Sequence, residues 1–226
     1  MKVLAIVQAR MGSNRLPGKV MRELSGHPMI YYTLTKLKKS RYIDQVILAT
    51  SDKPADTPLA EFARSIGFEV FRGDEDNVLE RYKLASDKYQ GDIIIRVTGD
   101  CPLIDPIIVD HAITKFLIYD YDYIRLDVPN TFIRGFDVEV FSKEALDKTY
   151  DIVCVQNDVE REDFKPFREH VTYYIYNHLE DFNVGSLEGK EALDTSINLS
   201  VDTLEDFERV KPLVDLPGYK QIKKLV

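Results

Sequence analysis

The chain has 226 residues, of which 44% are apolar, so it is long enough to bury the core of one α/β domain. Its net charge of −8 and pI of about 5.1 argue against nucleic acid or an anionic membrane as a partner. No apolar run approaches the ~20 residues of a membrane helix, and the N-terminus lacks a signal-peptide pattern. The two cysteines, Cys101 and Cys154, have neither metal-site nor disulfide-framework spacing, so we expect a cytoplasmic protein.

Short apolar strands alternate with helices over the first half of the chain. The predicted strands are 3–7, 45–50, 69–72 and 92–97, and the predicted helices are 29–39, 56–66, 78–89 and 105–119. This alternation is typical of parallel strands that cross over through helices. The sequence therefore predicts an α/β fold in which the charged, Gly- and Pro-rich junctions line one edge of the sheet.

The second half of the chain has a less regular pattern. Residues 121–136 are rich in aromatic and charged side chains. The later predicted elements are a strand at 137–141, a short helix capped by Ser142, an irregular stretch at 154–164, a helix at 167–178, strands at 183–187 and 196–201, and a helix from about 204 to 213. Thr203 and Asp206 resemble a capping box for that last helix. We treat 1–226 as one domain with 120–190 as a distinct subregion.

The stretch VLAIVQARMGSNRLPGK, residues 3–19, carries the clearest functional signal. Its apolar run leads directly into a segment with three cations and two glycines: Arg10, Gly12, Arg15, Gly18 and Lys19. Glycine permits backbone turns in which N–H groups converge on an anion, and Arg and Lys bind phosphate oxygens. Ligands of open α/β sheets bind beyond the carboxyl ends of the strands. The stretch therefore predicts an anion cradle, and the alternative is a solvated turn.

Two aspartates end strand-like segments in the same way. Asp100 follows the strand at 92–97 within RVTGDCPLIDP, and Asp202 follows the segment that ends at Val201. A carboxylate beside a triphosphate is repulsive unless a cation lies between them, and Mg²⁺ binds one or two carboxylates together with phosphate oxygens. Asp100 beside the cationic loop therefore predicts a Mg²⁺ site, with a turn residue as the alternative. By the sequence alone Asp202 is a helix N-cap candidate, and together with Asp100 it would make a pair of carboxylates suited to Mg²⁺.

The segment QARMGSNRLPGKV resembles the N-terminal signature of the cytidylyltransferases that make CMP-activated acidic sugars, and Gln8 replaces the Pro of many members. The segment Gly99-Asp100-Cys101-Pro102-Leu103-Ile104 resembles the CMP-Kdo synthetase and spore coat polysaccharide branch. This resemblance implies a Rossmann-like nucleotide-diphospho-sugar transferase fold, with a mixed, mainly parallel sheet and helices on both faces. It also implies metal ligation by Asp100 and Asp202 and a nucleotide site at Ala9, Arg10, Gly12, Ser13, Arg15, Lys19 and Gly99.

Six further residues are weaker candidates. Arg72 ends the third predicted strand and is placed at the base or phosphates, with a surface charge as the alternative. The candidates for the sugar site are Arg96, Asp137, Glu139, Arg168 and His170. Their alternatives are strand-end and helix-surface roles. Cys101 is expected to be structural rather than nucleophilic.

The resulting functional prediction is a Mg²⁺-dependent cytidylyltransferase that transfers CMP from CTP to an acidic sugar and releases pyrophosphate. The proposed catalytic residues are Arg10, Arg15, Lys19 and Asp100. The resemblance also implies a homodimer, with 120–190 contributing to the sugar pocket and the interface. The alternatives are a glycosyltransferase of the same fold, with metal at Asp74-Glu75-Asp76 or Asp120-Tyr121-Asp122, and a non-catalytic nucleotide-binding protein.

Overall fold

The structure, a computed structural model, describes residues 1–156, 162–190 and 197–225. Its strands are β1 Val3–Gln8, β2 Glu23–Leu24, β3 His27–Pro28, β4 Gln45–Ser51, β5 Glu69–Gly73, β6 Ile93–Thr98, β7 Tyr123–Leu126, β8 Glu139–Ser142 and β9 Val184–Leu187. Its α-helices are α1 Met29–Leu37, α2 Thr57–Ser65, α3 Val78–Tyr89, α4 Pro106–Ile118, α5 Lys143–Tyr150, α6 Lys165–Glu169, α7 Tyr173–Asn177, α8 Leu204–Val210 and α9 Tyr219–Ile222. None of the helices in these ranges is both long enough and apolar enough to cross a membrane.

One large sheet contains all of these strands except β2 and β3, which form a small ladder of their own. Its strand order is β5-β4-β1-β6-β8-β7-β9. Strands β5, β4, β1 and β6 are parallel, β8 runs antiparallel to both of its neighbours, and β9 is parallel to β7. The predicted mixed, mainly parallel sheet is therefore confirmed.

Helices cover both faces of the sheet because the central strands are apolar on both sides. Along β1, Val3, Ala5 and Val7 join one hydrophobic cluster, whereas Leu4 and Ile6 join the other. The first cluster includes residues of α1, α2 and α4, and the second includes residues of α3 and α5. Successive side chains of a strand point to opposite faces, so a continuous apolar run is what a doubly covered strand requires.

Strands β1, β4 and β6 end at a common edge of the sheet. Gln8, the last residue of β1, pairs with Ala49 in β4 and with Thr98 at the end of β6. The loops that follow these strands are therefore neighbours in space, although they are far apart in the sequence. As predicted, the cationic segment after β1 and the segment that contains Asp100 meet at this edge.

Side-chain caps fix the helices that begin at or near this edge. Asn77 caps α3 by accepting from Glu80 N at 3.1 Å, and Asp105 caps α4 by accepting from Ile107 N at 2.8 Å. Thr203 and Asp206 form the predicted capping box of α8, in which each side chain accepts from the other residue's backbone N–H. Such caps each contribute about 1 kcal/mol and define where a helix starts.

The second half of the chain departs from the predicted elements. The stretch 121–136 contains β7, which the aromatic and charged composition concealed, and the predicted helix at 167–178 is split into α6 and α7. The predicted strand at 196–201 is wrong over its described residues, where a single bridge joins Asn198 to Arg134. The stretch 154–164 lies partly outside the described residues. Its described ends belong to a π-helical turn, Asp151–Val155, and a 3₁₀ turn, Glu162–Phe164.

Gly135 holds the segment that leads to Asp202 against the rest of the fold. Its φ is +106°, in the region that favours glycine, and a Cβ there would lie 2.4 Å from the carbonyl carbon of Leu199. Next to it, Leu199 N donates to Arg134 O at 2.8 Å. Two backbones therefore touch at this glycine, and any side chain would push them apart.

Substituting Gly135→Ala should destabilise the protein by about 3 kcal/mol or more, because the left-handed backbone costs ~1–2 kcal/mol and the overpacking a further ~1–3 kcal/mol. Gly67→Ala is the matched control, since Gly67 has a φ of +84° with nothing within 4 Å of its added Cβ. That variant should lose only the ~1–2 kcal/mol of backbone strain. Urea denaturation of both variants measures the difference, and equal losses would contradict a backbone contact at Gly135.

Candidate active site

A cavity of about 1270 Å³ opens at the edge where β1 and β6 end. Its floor consists of strand-end residues, Gln8, Ala9, Thr98 and Gly99. The loop after β1 forms one wall, and parts of 74–81, 150–154 and 162–170 form the others. The predicted site residues that line this cavity are Ala9, Arg10, Gly12, Ser13, Arg15, Lys19, Gly99, Asp100, Arg168, His170 and Asp202.

The loop after β1 is closed by its own hydrogen bonds. The carbonyl of Met11 accepts from Ser13 N at 2.9 Å and from Gly18 N at 3.1 Å, and Leu16 N donates to Ser13 Oγ at 3.3 Å. Gly18 has a φ of +67°, which is the conformation predicted for a glycine here, but Gly12 does not use this region. These three amides are thus used within the loop rather than free for an anion.

Lys19 is the centre of the charge arrangement. Its ammonium donates to Val201 O at 2.7 Å, to Asp202 Oδ1 at 3.0 Å and to Asp100 Oδ2 at 3.3 Å. Its side chain is only 12% exposed, whereas those of the two aspartates are 27% and 29% exposed. A backbone hydrogen bond of 2.9 Å from Val201 N to Asp100 O joins the two aspartate segments directly. The predicted pairing of Asp100 with Asp202 is therefore present in the geometry.

The two arginines of the loop also pair with carboxylates. Arg15 Nη2 lies 3.0 Å from Asp202 Oδ2, and Arg10 Nη1 lies 3.2 Å from Glu75 Oε1 across the cavity. The Arg15 side chain is 66% exposed and that of Arg10 is 42% exposed. Ion pairs with this much exposure to solvent exchange partners at a small cost in free energy. Both guanidinium groups are therefore available to an incoming anion.

Gly99 allows the floor of the cavity to form. A Cβ at this position would lie 2.7 Å from the Cβ of Ala9 and 3.3 Å from the carbonyl oxygen of Gln8. Gly99 N donates to that same carbonyl at 2.8 Å. The glycine therefore lets the residues after β1 and β6 pack without a gap, and Asp100 is placed beside the loop as a result.

Arg72 does not line the cavity. Its guanidinium donates to Ser51 O at 2.9 Å, to Lys53 O at 2.7 Å and to Thr57 Oγ1 at 3.3 Å, which satisfies all three of its nitrogens. It thus braces the turn after β4, a placement that gives no support to the predicted contact with the nucleotide.

Arg96 and Glu139 form a pair below the floor of the cavity. Arg96 Nη1 donates to Glu139 Oε2 at 2.8 Å, and Arg96 Nε donates to Gln8 Oε1 at 3.0 Å. Burial acts to lower the pKa of the Arg96 guanidinium, but the Glu139 carboxylate outweighs it and the pKa is raised. Thr172 donates to the same Glu139 oxygen at 2.9 Å. The pair supports the floor, and neither residue lines the cavity.

Asp137 is also placed beneath the cavity rather than in its lining. Its Oδ2 accepts from Gly135 N at 2.7 Å, and burial raises the pKa of its carboxyl. Nearby, burial raises the pKa of the Cys101 thiol well above its usual value, with Asp100 and Asp137 acting in the same direction. A thiol held neutral is a poor nucleophile, in agreement with the structural role expected for Cys101.

Sequence reasoning missed five charged side chains of the lining, and it named Glu75 only within the alternative metal motif at 74–76. The five are Glu80, Arg81, Glu162, Lys165 and Glu169. Arg81 is 3% exposed and donates from Nη1 to Asp74 O at 2.6 Å, and burial lowers its pKa. Arg81 lies on the apolar face of α3, beside the buried Tyr82. A charged residue on an apolar helix face is the signal that could have identified it from the sequence. Of the two alternative metal motifs, 74–76 lines the cavity and 120–122 does not. Within the first motif, the Asp74 carboxylate accepts from Asp76 N and Asn77 N.

Asp100 and Asp202 have a donor set that suits a divalent cation. Within the described ranges no group of three or more His, Cys, Asp or Glu side chains is arranged around one point. However, Mg²⁺ keeps several waters and binds through one or two carboxylates plus phosphate oxygens. The two aspartates already hold one cation, the Lys19 ammonium, between them. They therefore fit a metal that the phosphates of a ligand help to coordinate.

The contacts of Lys19 predict a measurable contribution to stability. Lys19→Gln should destabilise the protein by about 1.5–3 kcal/mol, because two carboxylates that face each other lose their shared donor. Arg15→Gln, the control, should cost less than about 1 kcal/mol because that ion pair is exposed. Urea denaturation of both variants measures the two losses, and equal losses would contradict the central place given to Lys19.

Comparison with known sequences gives a consistent result. The sequence profile of the cytidylyltransferase family matches residues 4–225. The chain is 39% identical over 209 residues to an uncharacterized protein of Methanocaldococcus jannaschii, with 92% of this chain and 81% of that protein covered. It is 36% identical over 223 residues to the spore coat polysaccharide biosynthesis protein SpsF of Bacillus subtilis, with 96% of this chain and 88% of that protein covered.

Solved structures agree with the sequence comparison. A cytidylyltransferase from Leptospira borgpetersenii superposes with a TM-score of 0.83 at 35% identity, covering 93% of this chain and 85% of that chain. CMP:2-keto-3-deoxy-manno-octonic acid synthetase, solved in complex with CTP, superposes with a TM-score of 0.68 at 16% identity, covering 94% of this chain and 98% of that chain. At this identity the likeness shows the fold alone. The predicted fold and the assignment as a nucleotidyltransferase are thereby confirmed: the chain belongs to the cytidylyltransferase family.

Proposed function

We propose that this protein transfers CMP from CTP to a hydroxyl group of an acidic sugar, with Mg²⁺ bound, and releases pyrophosphate. The observation that carries the proposal is the Lys19 ammonium held between Asp100 and Asp202 at the mouth of a strand-end cavity. Cations and a close carboxylate pair at one place are what a triphosphate with its metal requires.

The cations of the loop would hold the triphosphate. Arg10 and Arg15 are exposed enough to release Glu75 and Asp202 and to turn their guanidinium groups to phosphate oxygens. Lys19 is buried and fixed, so it acts as a positioned point charge. Together they neutralise the ground state and stabilise the charge that develops on the departing pyrophosphate.

Asp100 and Asp202 are the residues that would hold the metal. Mg²⁺ held there would supply Lewis-acid polarisation of the phosphate that is attacked. The sugar hydroxyl oxygen forms a bond to the α-phosphorus, the bond to the bridging oxygen breaks, and the hydroxyl proton leaves to solvent. Such a displacement needs positioning and electrostatic stabilisation rather than a covalent enzyme intermediate.

Three side chains of the wall at 162–170 support an acidic acceptor. Lys165, Arg168 and His170 line the same cavity as the phosphate-binding loop. The same wall also carries Glu162 and Glu169, so the proposal for the acceptor rests on the ammonium, guanidinium and imidazole groups, which bind carboxylates. The likeness to SpsF supports a place in the synthesis of a surface polysaccharide.

The assignment of Asp100 predicts a large loss of rate without a loss of fold. Asp100→Asn should lower the rate of pyrophosphate release by about 10²–10³, because one charged contact to the transition state is removed. Asp52→Asn, at an exposed carboxylate outside the cavity, is the matched control and should retain the native rate. Near-native turnover by Asp100→Asn, with an unchanged circular dichroism spectrum, would contradict the assignment.

The reaction itself is tested by its products. The native protein is incubated with Mg²⁺, one nucleoside triphosphate at a time and a panel of sugars that includes 3-deoxy-manno-octulosonate and N-acetylneuraminate. We expect pyrophosphate with CTP and an acidic sugar only. A second set of reactions contains nucleotide sugars in place of the triphosphates, and release of a free nucleoside diphosphate there would instead indicate a glycosyltransferase of the same fold.

A further inference from the structure

Asp56 is a buried carboxylate that holds the phosphate-binding loop from behind. It is 2% exposed and lies in the turn after β4, outside the lining of the cavity. Its Oδ1 accepts from Met11 N at 2.6 Å, and its Oδ2 accepts from Ser51 N at 3.3 Å and from the Ser51 hydroxyl. Met11 lies between Arg10 and Gly12, so this carboxylate fixes the backbone at the start of the loop.

The turn that carries Asp56 is itself braced. Arg72 binds Ser51 O, Lys53 O and Thr57 Oγ1, which are spread over the same turn. A planar guanidinium with three satisfied nitrogens allows the turn little freedom to shift. The contacts therefore run without a break from Arg72 through the turn to Asp56, and from Asp56 to the backbone beside Arg10.

We propose that Asp56 is a positioning residue for nucleotide binding and that Arg72 acts through it. The proposal rests on the proposed function, since it takes the loop to be the CTP-binding element. It assigns to Arg72 an influence on the nucleotide without contact, in place of the direct contact predicted from the sequence. An arginine that must meet phosphate oxygens gains affinity when its backbone is already held in place.

The contacts of Asp56 suit a side chain that accepts hydrogen bonds at both of its oxygens. All three partners of Asp56 donate: two backbone N–H groups and one hydroxyl group. An ionised carboxylate accepts at both oxygens, whereas a carboxamide turns an NH₂ group towards one of these donors. The Ser51 hydroxyl can rotate to accept from that group, so asparagine restores part of the arrangement and alanine restores none of it.

The test measures the affinity of CTP with Mg²⁺ by isothermal titration calorimetry at a temperature where each variant is folded. Asp56→Ala should raise the Kd about 10- to 100-fold, because a charge-assisted hydrogen bond to the loop is lost. Asp56→Asn should raise it by less, and Arg72→Met should raise it about as much as Asp56→Asn. If Asp56→Ala does not fold, the Kd values of Asp56→Asn and Arg72→Met decide the test.

Asp44→Ala is the matched control. Asp44 accepts from Val3 N at 2.8 Å, so it makes the same kind of bond at the opposite end of β1. Its loss should lower the melting temperature and leave the Kd for CTP unchanged. A purely structural role for Asp56 would make the two sites behave alike, and native affinity in Asp56→Asn and Arg72→Met would overturn the proposal.

The native protein supplies a second readout that does not depend on any ligand. The amide of Met11 should exchange with solvent far more slowly than that of Gly12, whose N–H donates to no partner in the described part of the chain. Equal exchange rates would overturn the proposed hold on the loop. Failure of the native protein to bind CTP while Met11 remains protected would instead reject the proposed function alone.

Discussion

One lysine ammonium joins two aspartates that are about a hundred residues apart in the sequence. Lys19 reaches Asp100 and Asp202 at 3.3 and 3.0 Å, and the backbones of the two aspartate segments are hydrogen-bonded beside it. The side chain is nearly buried, so these contacts are weakly screened by solvent. The rest of the site depends on this arrangement, because it fixes the loop after β1 against the ends of two other segments.

The three cations of the loop after β1 are paired with carboxylates before any ligand arrives. Arg10 pairs with Glu75, and Arg15 pairs with Asp202. A triphosphate must therefore take the place of carboxylates, and a divalent cation would compensate Asp202 when its partner Arg15 turns to phosphate. In this account the metal and the nucleotide bind together, and the buried Asp56 holds the start of the loop that binds the nucleotide.

The sequence predicted well those features that depend on local pattern. Apolar runs such as Val3–Gln8 and the Thr203–Asp206 capping box are readable because burial and capping each leave a short periodic or spaced signature. The sequence also placed Asp100 and Asp202 together, although the segment before Asp202 forms a single bridge at Asn198 and not the predicted strand. The role of Arg72 and the strand β7 were not readable, because both depend on which distant backbone lies alongside.

Calorimetric or fluorescence melting with CTP tests the central claim most directly. At 100 times its Kd, a ligand adds about 2.7 kcal/mol of stability, which raises the melting temperature of a chain of this size by roughly 5–10 °C. The account predicts this rise for CTP with Mg²⁺, with most of it lost in EDTA and little rise with UTP, GTP or ATP. No rise with CTP, or the same rise in EDTA, would contradict a site built around Asp100 and Asp202.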